Sequence, residues 1–151
     1  MSTTISSIAA VLNSLIETCK DGQEGFRTAA ENVQSADYKS LFFDLSMQRQ
    51  EFVAELQSLV LELGQDVENA GSVAGAIHRG WIDLKAAVTS DDEHAILAEC
   101  ERGEDSAVAE YREALTCEAL SQNFRDVILR QAVQVKQAHD RIRALRDSTK
   151  S

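Results

Sequence analysis

Glutamate and histidine side chains brought together inside a helical bundle can hold iron or manganese, because both ions take hard carboxylate oxygens and imidazole nitrogen. A dinuclear site of this kind uses one Glu from each of two helices and a Glu-x-x-His pair from each of the other two. In this chain of 151 residues the candidates are Glu101, Glu104 and His139. Glu104 falls on the apolar stripe of its helix, Glu101 at the edge of that stripe, and His139 beside the stripe of the last helix. Lys136 stands where the Glu paired with His139 belongs. The first two helices present Gln23 and Gln48 in place of acids, and the second has no His. About two of the six ligands of such a site are present, so iron or manganese is the alternative reading and no cofactor is expected. The leading reading makes Gln23, Gln48, Glu55, Glu104, Gln131 and His139 an interior polar layer. Its members hydrogen-bond one another or buried water and set helix register. A Glu104 buried without a cation would have its pKa raised by desolvation.

The elements that must position these groups are helices. The sequence holds no proline and seven glycines, and proline is the residue that most disrupts a helix interior. Apolar residues at Ile8, Leu12, Leu15, Cys19, Phe26, Ala30 and Val33 recur at the three-and-four spacing of a buried helical stripe. Leu41, Leu45, Phe52, Leu56, Leu59 and Leu63 do the same in a second helix, with Ser35 as its N-cap and Gly64 as its left-handed terminator. A third helix carries Ile96, Cys100, Ala107, Tyr111 and Ala114 behind a capping box at Ser90-Asp91-Asp92-Glu93. A fourth, capped by Ser121, carries Phe124, Ile128, Val135, Ala138, Ile142 and Leu145. One domain over 1–151 results, with a helical hairpin at 4–63, a crossover at 65–89 and a second hairpin at 91–147. The crossover, about 25 residues long, far exceeds the usual 2–8 of bundle connections. The reading gives it a short helix over 72–88, enough with its flanks to climb a bundle roughly 42 Å tall. The middle helices then run parallel, the alternative being a five-helix up-and-down packing.

The formal net charge is −10, which repels phosphate backbones and anionic lipid. Neither nucleic acid nor membrane is an expected partner. The N-terminal segment lacks a basic region, and no apolar run is long enough to span a bilayer. Three cysteines without C-x-x-C spacing suit a reducing cytoplasm better than a disulfide framework. Cys19 and Cys100 lie on buried stripes, and Cys117 is the one expected nearer the surface. No nucleophile-and-base pair and no phosphate-cradling glycine loop is signalled.

His78, Arg79 and the lone Trp81 form a possible interface, an aromatic anchor with flanking charge. The plainer reading, weighted above it, is that Trp81 fastens the crossover to the bundle. Gly22 and Gly25 each weaken the first helix by up to ~1 kcal/mol, which points to a close approach by another backbone or by the crossover.

The runs Leu12-Asn13-Ser14-Leu15-Ile16-Glu17-Thr18-Cys19-Lys20-Asp21-Gly22 and Gly25-Phe26-Arg27-Thr28-Ala29-Ala30 resemble a family of uncharacterised bacterial four-helix-bundle proteins of the ferritin-like superfamily. Gly75-Ala76-Ile77-His78-Arg79-Gly80-Trp81-Ile82-Asp83-Leu84-Lys85, Glu99-Cys100-Glu101-Arg102-Gly103-Glu104-Asp105 and Ala138-His139-Asp140-Arg141-Ile142-Arg143 extend the resemblance over nearly the full chain. It implies a ferritin-like fold and no assigned activity. The expectation is an all-α, ferritin-like four-helix bundle whose long crossover contains an extra short helix. Its function is expected to be non-enzymatic, through oligomerisation (a homodimer favoured) or through a protein partner at the crossover. A divergent metal-carboxylate protein handling metal, oxygen or peroxide is the alternative.

Overall fold

The computed structural model describes residues 2–64, 81, 83–90 and 92–149. Among the described residues five helices follow in order: α1 Ser2–Asn32, α2 Ala36–Glu62, α3 Leu84–Thr89, α4 Glu93–Ala114 and α5 Gln122–Ser148. Their ends are written in local chemistry. Ser35 accepts from the Tyr38 N–H and Ser121 from the Phe124 N–H, so both expected N-caps are present. Gly64 takes φ 75°, the left-handed geometry that ends α2 and that side chains with a Cβ disfavour.

The capping box before α4 is built differently from the expectation. Asp92 is the N-cap and accepts from the His94 N–H, while the Ser90 hydroxyl donates to the Ala87 carbonyl. Glu93 reaches away from its own helix and accepts from the Gln34 and Ser35 N–H groups at 2.6 and 2.8 Å. One carboxylate thereby ties the α1–α2 turn to the start of α4. The short crossover helix is also later than expected. Trp81 and Asp83 are turn residues and the helix begins at Leu84; the part of the 72–88 expectation before Trp81 lies outside the described residues.

Cross-helix contacts set the topology. Gln23 meets Ser46 and Gly22 meets Arg49, so α1 and α2 are antiparallel. Ser14 meets Glu110 and Cys19 meets Tyr111, with Gln34 near Glu93, so α1 and α4 are antiparallel too. Two helices antiparallel to a third are parallel to each other. The chain between α2 and α4 therefore passes from one end of the bundle to the other, as the long crossover of ferritin-like folds does.

The interior divides into two apolar clusters. One joins Leu12, Leu15, Leu56, Tyr111, Phe124 and Ile128. The other joins Phe26, Phe42, Trp81, Ile96, Cys100 and Ile142. Between them, in the middle of α1, α2 and α4, lies a belt of buried polar residues, which is where a functional site belongs. Among the described residues no helix is long and apolar enough to cross a membrane.

Candidate functional site

At the centre of the belt is an ion pair that the sequence reading missed. Arg49 of α2 and Glu104 of α4 are 1% and 0% exposed. The guanidinium donates to both carboxylate oxygens, Nη1 to Oε1 at 2.7 Å and Nη2 to Oε2 at 2.6 Å. Nε donates to Gln48 Oε1 at 3.2 Å, and the cation lies 5.3 Å from the centre of the Phe26 ring. Burial works to lower the Arg49 pKa, but the Glu104 charge and hydrogen bonds outweigh it and hold the guanidinium protonated. A Cβ at Gly22 would stand 3.1 Å from Arg49 Nη1, so the glycine in α1 keeps room for the guanidinium. Glu104 is therefore buried with a cation against both of its oxygens, not without one.

A second chain of polar groups crosses all four long helices. Arg130 Nη2 donates to Glu55 Oε2 at 2.6 Å, and Gln131 Nε2 donates to Glu55 Oε1 at 2.8 Å. Tyr111 donates to Gln131 Oε1 at 2.6 Å and has Cys19 Sγ at 3.1 Å. Partial burial acts to raise the Glu55 carboxyl, yet its Arg130 and Gln131 hydrogen bonds hold it below the usual range. Of the expected layer, Gln48, Glu104, Glu55 and Gln131 are thus joined to polar partners, and Gln23 enters through its backbone carbonyl, which accepts from Ser46.

His139 lies apart, on the α4–α5 flank. Its Nε2 is 2.6 Å from Asp105 Oδ1 and 3.9 Å from Glu101 Oε2, and its Nδ1 is 3.0 Å from Asp140 Oδ1. Glu101 also meets Arg146 Nη1 at 2.5 Å. Glu104 does not belong to this group. Of the expected metal set of Glu101, Glu104 and His139, the structure brings Glu101 and His139 together with Asp105, one turn beyond Glu101, while Glu104 turns inward to Arg49.

The interior does not fit the dinuclear iron or manganese of ferritin-like bundles. Both oxygens of Glu104 are engaged, a guanidinium occupies the α2 side, and α1 brings the Cys19 thiol and the buried Asp21 carboxylate rather than a Glu opposite a Glu-x-x-His pair. A fixed positive charge takes the role that the metal would play in balancing the buried carboxylate.

Trp81 is 5% exposed and wedged between helices. A Cβ at Gly25 would come within 2.5 Å of its ring and one at Gly103 within 2.2 Å. Phe26 meets the ring edge-on at 5.1 Å. Trp81 therefore fastens the crossover and leaves the expected interface set; His78 and Arg79 lie outside the described residues. The close approach expected at Gly22 and Gly25 is real: at Gly25 the crossover makes it through Trp81, and at Gly22 the Arg49 side chain of α2 does.

The cysteines follow their stripes. Cys19 and Cys100 are buried and Cys117 is half-buried, all free. Burial, opposed by the Arg49 charge, pushes the Cys19 thiol up to about 11, and burial raises Cys100 well above its usual value. Since thiolate is the reactive form, one thiol per native chain should react with an aromatic disulfide reagent at about pH 8, and all three after unfolding. Prompt reaction of two or more in the native protein would contradict this packing.

The other outward feature is on α2. Phe43, Met47 and Leu61 are 42%, 61% and 62% exposed. With Gln50, Ala54 and Gln57 they fall at alternating steps of four and three, making a strip of side chains without charge.

A family model described as a domain of unknown function, DUF2383, matches residues 7–118. Solved structures of Mycobacterium smegmatis Dps proteins share the fold. A Dps1 point mutant is 17% identical with a TM-score of 0.79, covering 95% of this chain and 97% of that one. The tetragonal form of Dps is 15% identical with a TM-score of 0.74, covering 95% and 88%. No curated protein matches the chain.

Proposed function

The chain belongs to the DUF2383 family of domains of unknown function, and from that footing we propose a non-enzymatic ferritin-like bundle that works by associating with copies of itself through the outer strip of α2. The strip carries the reading. Six consecutive seam positions, Phe43, Met47, Gln50, Ala54, Gln57 and Leu61, are free of charge on a molecule of net charge −10, over about 27 Å of helix. Large exposed apolar side chains in a row mark contact surfaces.

A second copy is the occupant the pattern favours. About a two-fold axis between Gln50 and Ala54, the strip laid antiparallel on itself pairs Phe43 with Leu61, Met47 with Gln57 and Gln50 with Ala54, each pair twice. Such self-matching is what an isologous interface requires. A copy also brings the same excess of carboxylates, so contact is cheapest where neither side carries any. Partner binding by the crossover, the other form of this reading, loses support because Trp81 is buried.

Sedimentation of the full chain tests the proposal. The wild type should run as a multiple of 16.6 kDa at micromolar concentration. The Phe43→Glu/Met47→Glu variant should weaken association at least about 100-fold, since each buried apolar side chain contributes ~1.5 kcal/mol or more. Leu129→Glu, at an exposed position on α5, should leave assembly intact. A wild type that stays at 16.6 kDa, or a Leu129→Glu variant as impaired as the α2 variant, would sink the reading.

A further inference from the structure

We propose that the α4–α5 flank binds one divalent first-row transition-metal ion, held by His139 Nε2 and one carboxylate oxygen each from Glu101 and Asp105. This site is separate from the bundle interior, where Arg49 fills the cation's role, and it does not depend on self-association.

The three ligand atoms lie within 4.8 Å of one another. Ligands ~2.1 Å from a common ion stand about 3.0–3.4 Å apart in octahedral or tetrahedral geometry. The observed separations of 2.6 Å to Asp105 and 3.9 Å to Glu101 bracket that range. Side-chain rotation that lengthens the first separation and shortens the second by about half an ångström brings both into that range. One imidazole with two carboxylates suits zinc, iron or manganese better than calcium or magnesium, which favour oxygen alone.

The surroundings are those of a binding site rather than of a loose acidic patch. His139 and Glu101 are each 7% exposed, and Glu101 is held from behind. Among the described residues its Oε1, shielded from solvent, receives no aligned hydrogen bond and meets the Arg146 charge at 2.5 Å. That contact leaves Oε2 on the side of the histidine. Asp140 sits at the other ring nitrogen, 3.0 Å from Nδ1, where it fixes the tautomer that presents Nε2. Carboxylates behind ligating histidines commonly play this part. Asp105 is exposed, so the ion has a path from solvent. Two acceptors at 2.6 Å need a proton between them; the ion takes that proton's place, and the proton leaves to water.

Calorimetric titration of the full chain with Zn(II), after chelation and desalting, tests the assignment. One ion per chain is expected for the wild type. Asp105→Asn, at an exposed position that leaves folding unaffected by circular dichroism, should weaken binding at least about 10-fold, and Asp140→Asn by about 10–100-fold through loss of the tautomer lock. Asp44→Asn removes one exposed charge from α2 and should leave affinity unchanged. No stoichiometric uptake by the wild type overturns the proposal. An Asp44→Asn variant as impaired as Asp105→Asn overturns it too, because the ion would then be following net charge alone.

Discussion

Arg49→Ala will destabilise the folded chain by about 3–5 kcal/mol, the cost of leaving a buried carboxylate without its cation. The whole stability of a domain this size is about 5–15 kcal/mol, so the loss is a large fraction of it. Thermal unfolding should shift down by roughly 10–15 °C. Removing the attraction is only part of the cause. Glu104 is 0% exposed and would keep two oxygens in an apolar interior with no donor, and Gln48 and the Phe26 face would each lose a contact. The double replacement Arg49→Met/Glu104→Leu should recover most of the loss, since an apolar pair of similar volume removes both desolvation costs together. A single variant less than about 1 kcal/mol below wild type would mean that water reaches Glu104, and the closed belt would be wrong. The double variant serves a further purpose. If it is as stable as the wild type yet populates more than one helix register by NMR, the ion pair acts chiefly to specify α2–α4 alignment.

Trp81→Ala will cost about 3–5 kcal/mol, as large-to-small changes of buried aromatics do, and Gly103→Ala about 1–3 kcal/mol through overpacking. The informative quantity is their combination. In the wild type the added methyl at Gly103 would enter the indole ring, with three ring atoms between 2.2 and 2.7 Å. The indole is rigid and held on its other side by Phe26 and Gly25, so it cannot yield cheaply. Once Trp81 is alanine the clash disappears, and Gly103→Ala should be neutral or stabilising by up to ~1 kcal/mol from helix propensity. Urea unfolding of the four proteins should therefore give a coupling of at least about 1 kcal/mol, against near-zero coupling for sites that do not touch. Additive losses would remove Trp81 from the gap between α1 and α4, and with it the anchoring of the crossover.

Much of the frame was legible because it depends on local rules. The stripes Ile8 to Val33 and Phe124 to Leu145 repeat at helical spacing, Ser35 and Ser121 sit where orphan N–H groups need an acceptor, and Gly64 supplies the left-handed turn. The long gap before α4 made a crossover the natural way to keep the middle helices parallel. The short helix was less legible. Its apolar spacing continues backwards through Trp81, but Trp81 and Asp83 are turn residues. The Asp83 N–H is bound by Glu99 Oε2 at 2.8 Å, a partner 16 residues away that no local pattern indicates.

The site was legible in part. Gln48 and Glu104 lie at one level, joined through Arg49, and Gln131 and Glu55 bond as members of a second chain. Arg49 was overlooked although it continues the stripe from Leu45 to Phe52, where a basic residue reads by default as a solvated interruption. The available signal was relational: an Arg on an apolar stripe of one helix, an acid on the stripe of a parallel helix, and a glycine opposite. Asp105 had a local signal, its i+4 spacing from Glu101, but a carboxylate at that position is usually on a solvated face.

What the sequence determined by itself is therefore the set of helices, their ends, the buried face of each and the polar level in the middle, because propensity, capping and periodicity act within a few residues of one another. Only the tertiary structure decided which charged groups meet. Arg49 and Glu104 are 55 residues apart, and Asp105 and His139 are 34 apart. Whether a carboxylate is closed by a guanidinium or open to an ion depends on the rotation of one helix against another. A rotation of about 100°, the angle between successive helical residues, exchanges Glu104 for its neighbour Asp105 on the facing surface, and the packing of the whole core, down to an indole between two glycines, sets that angle.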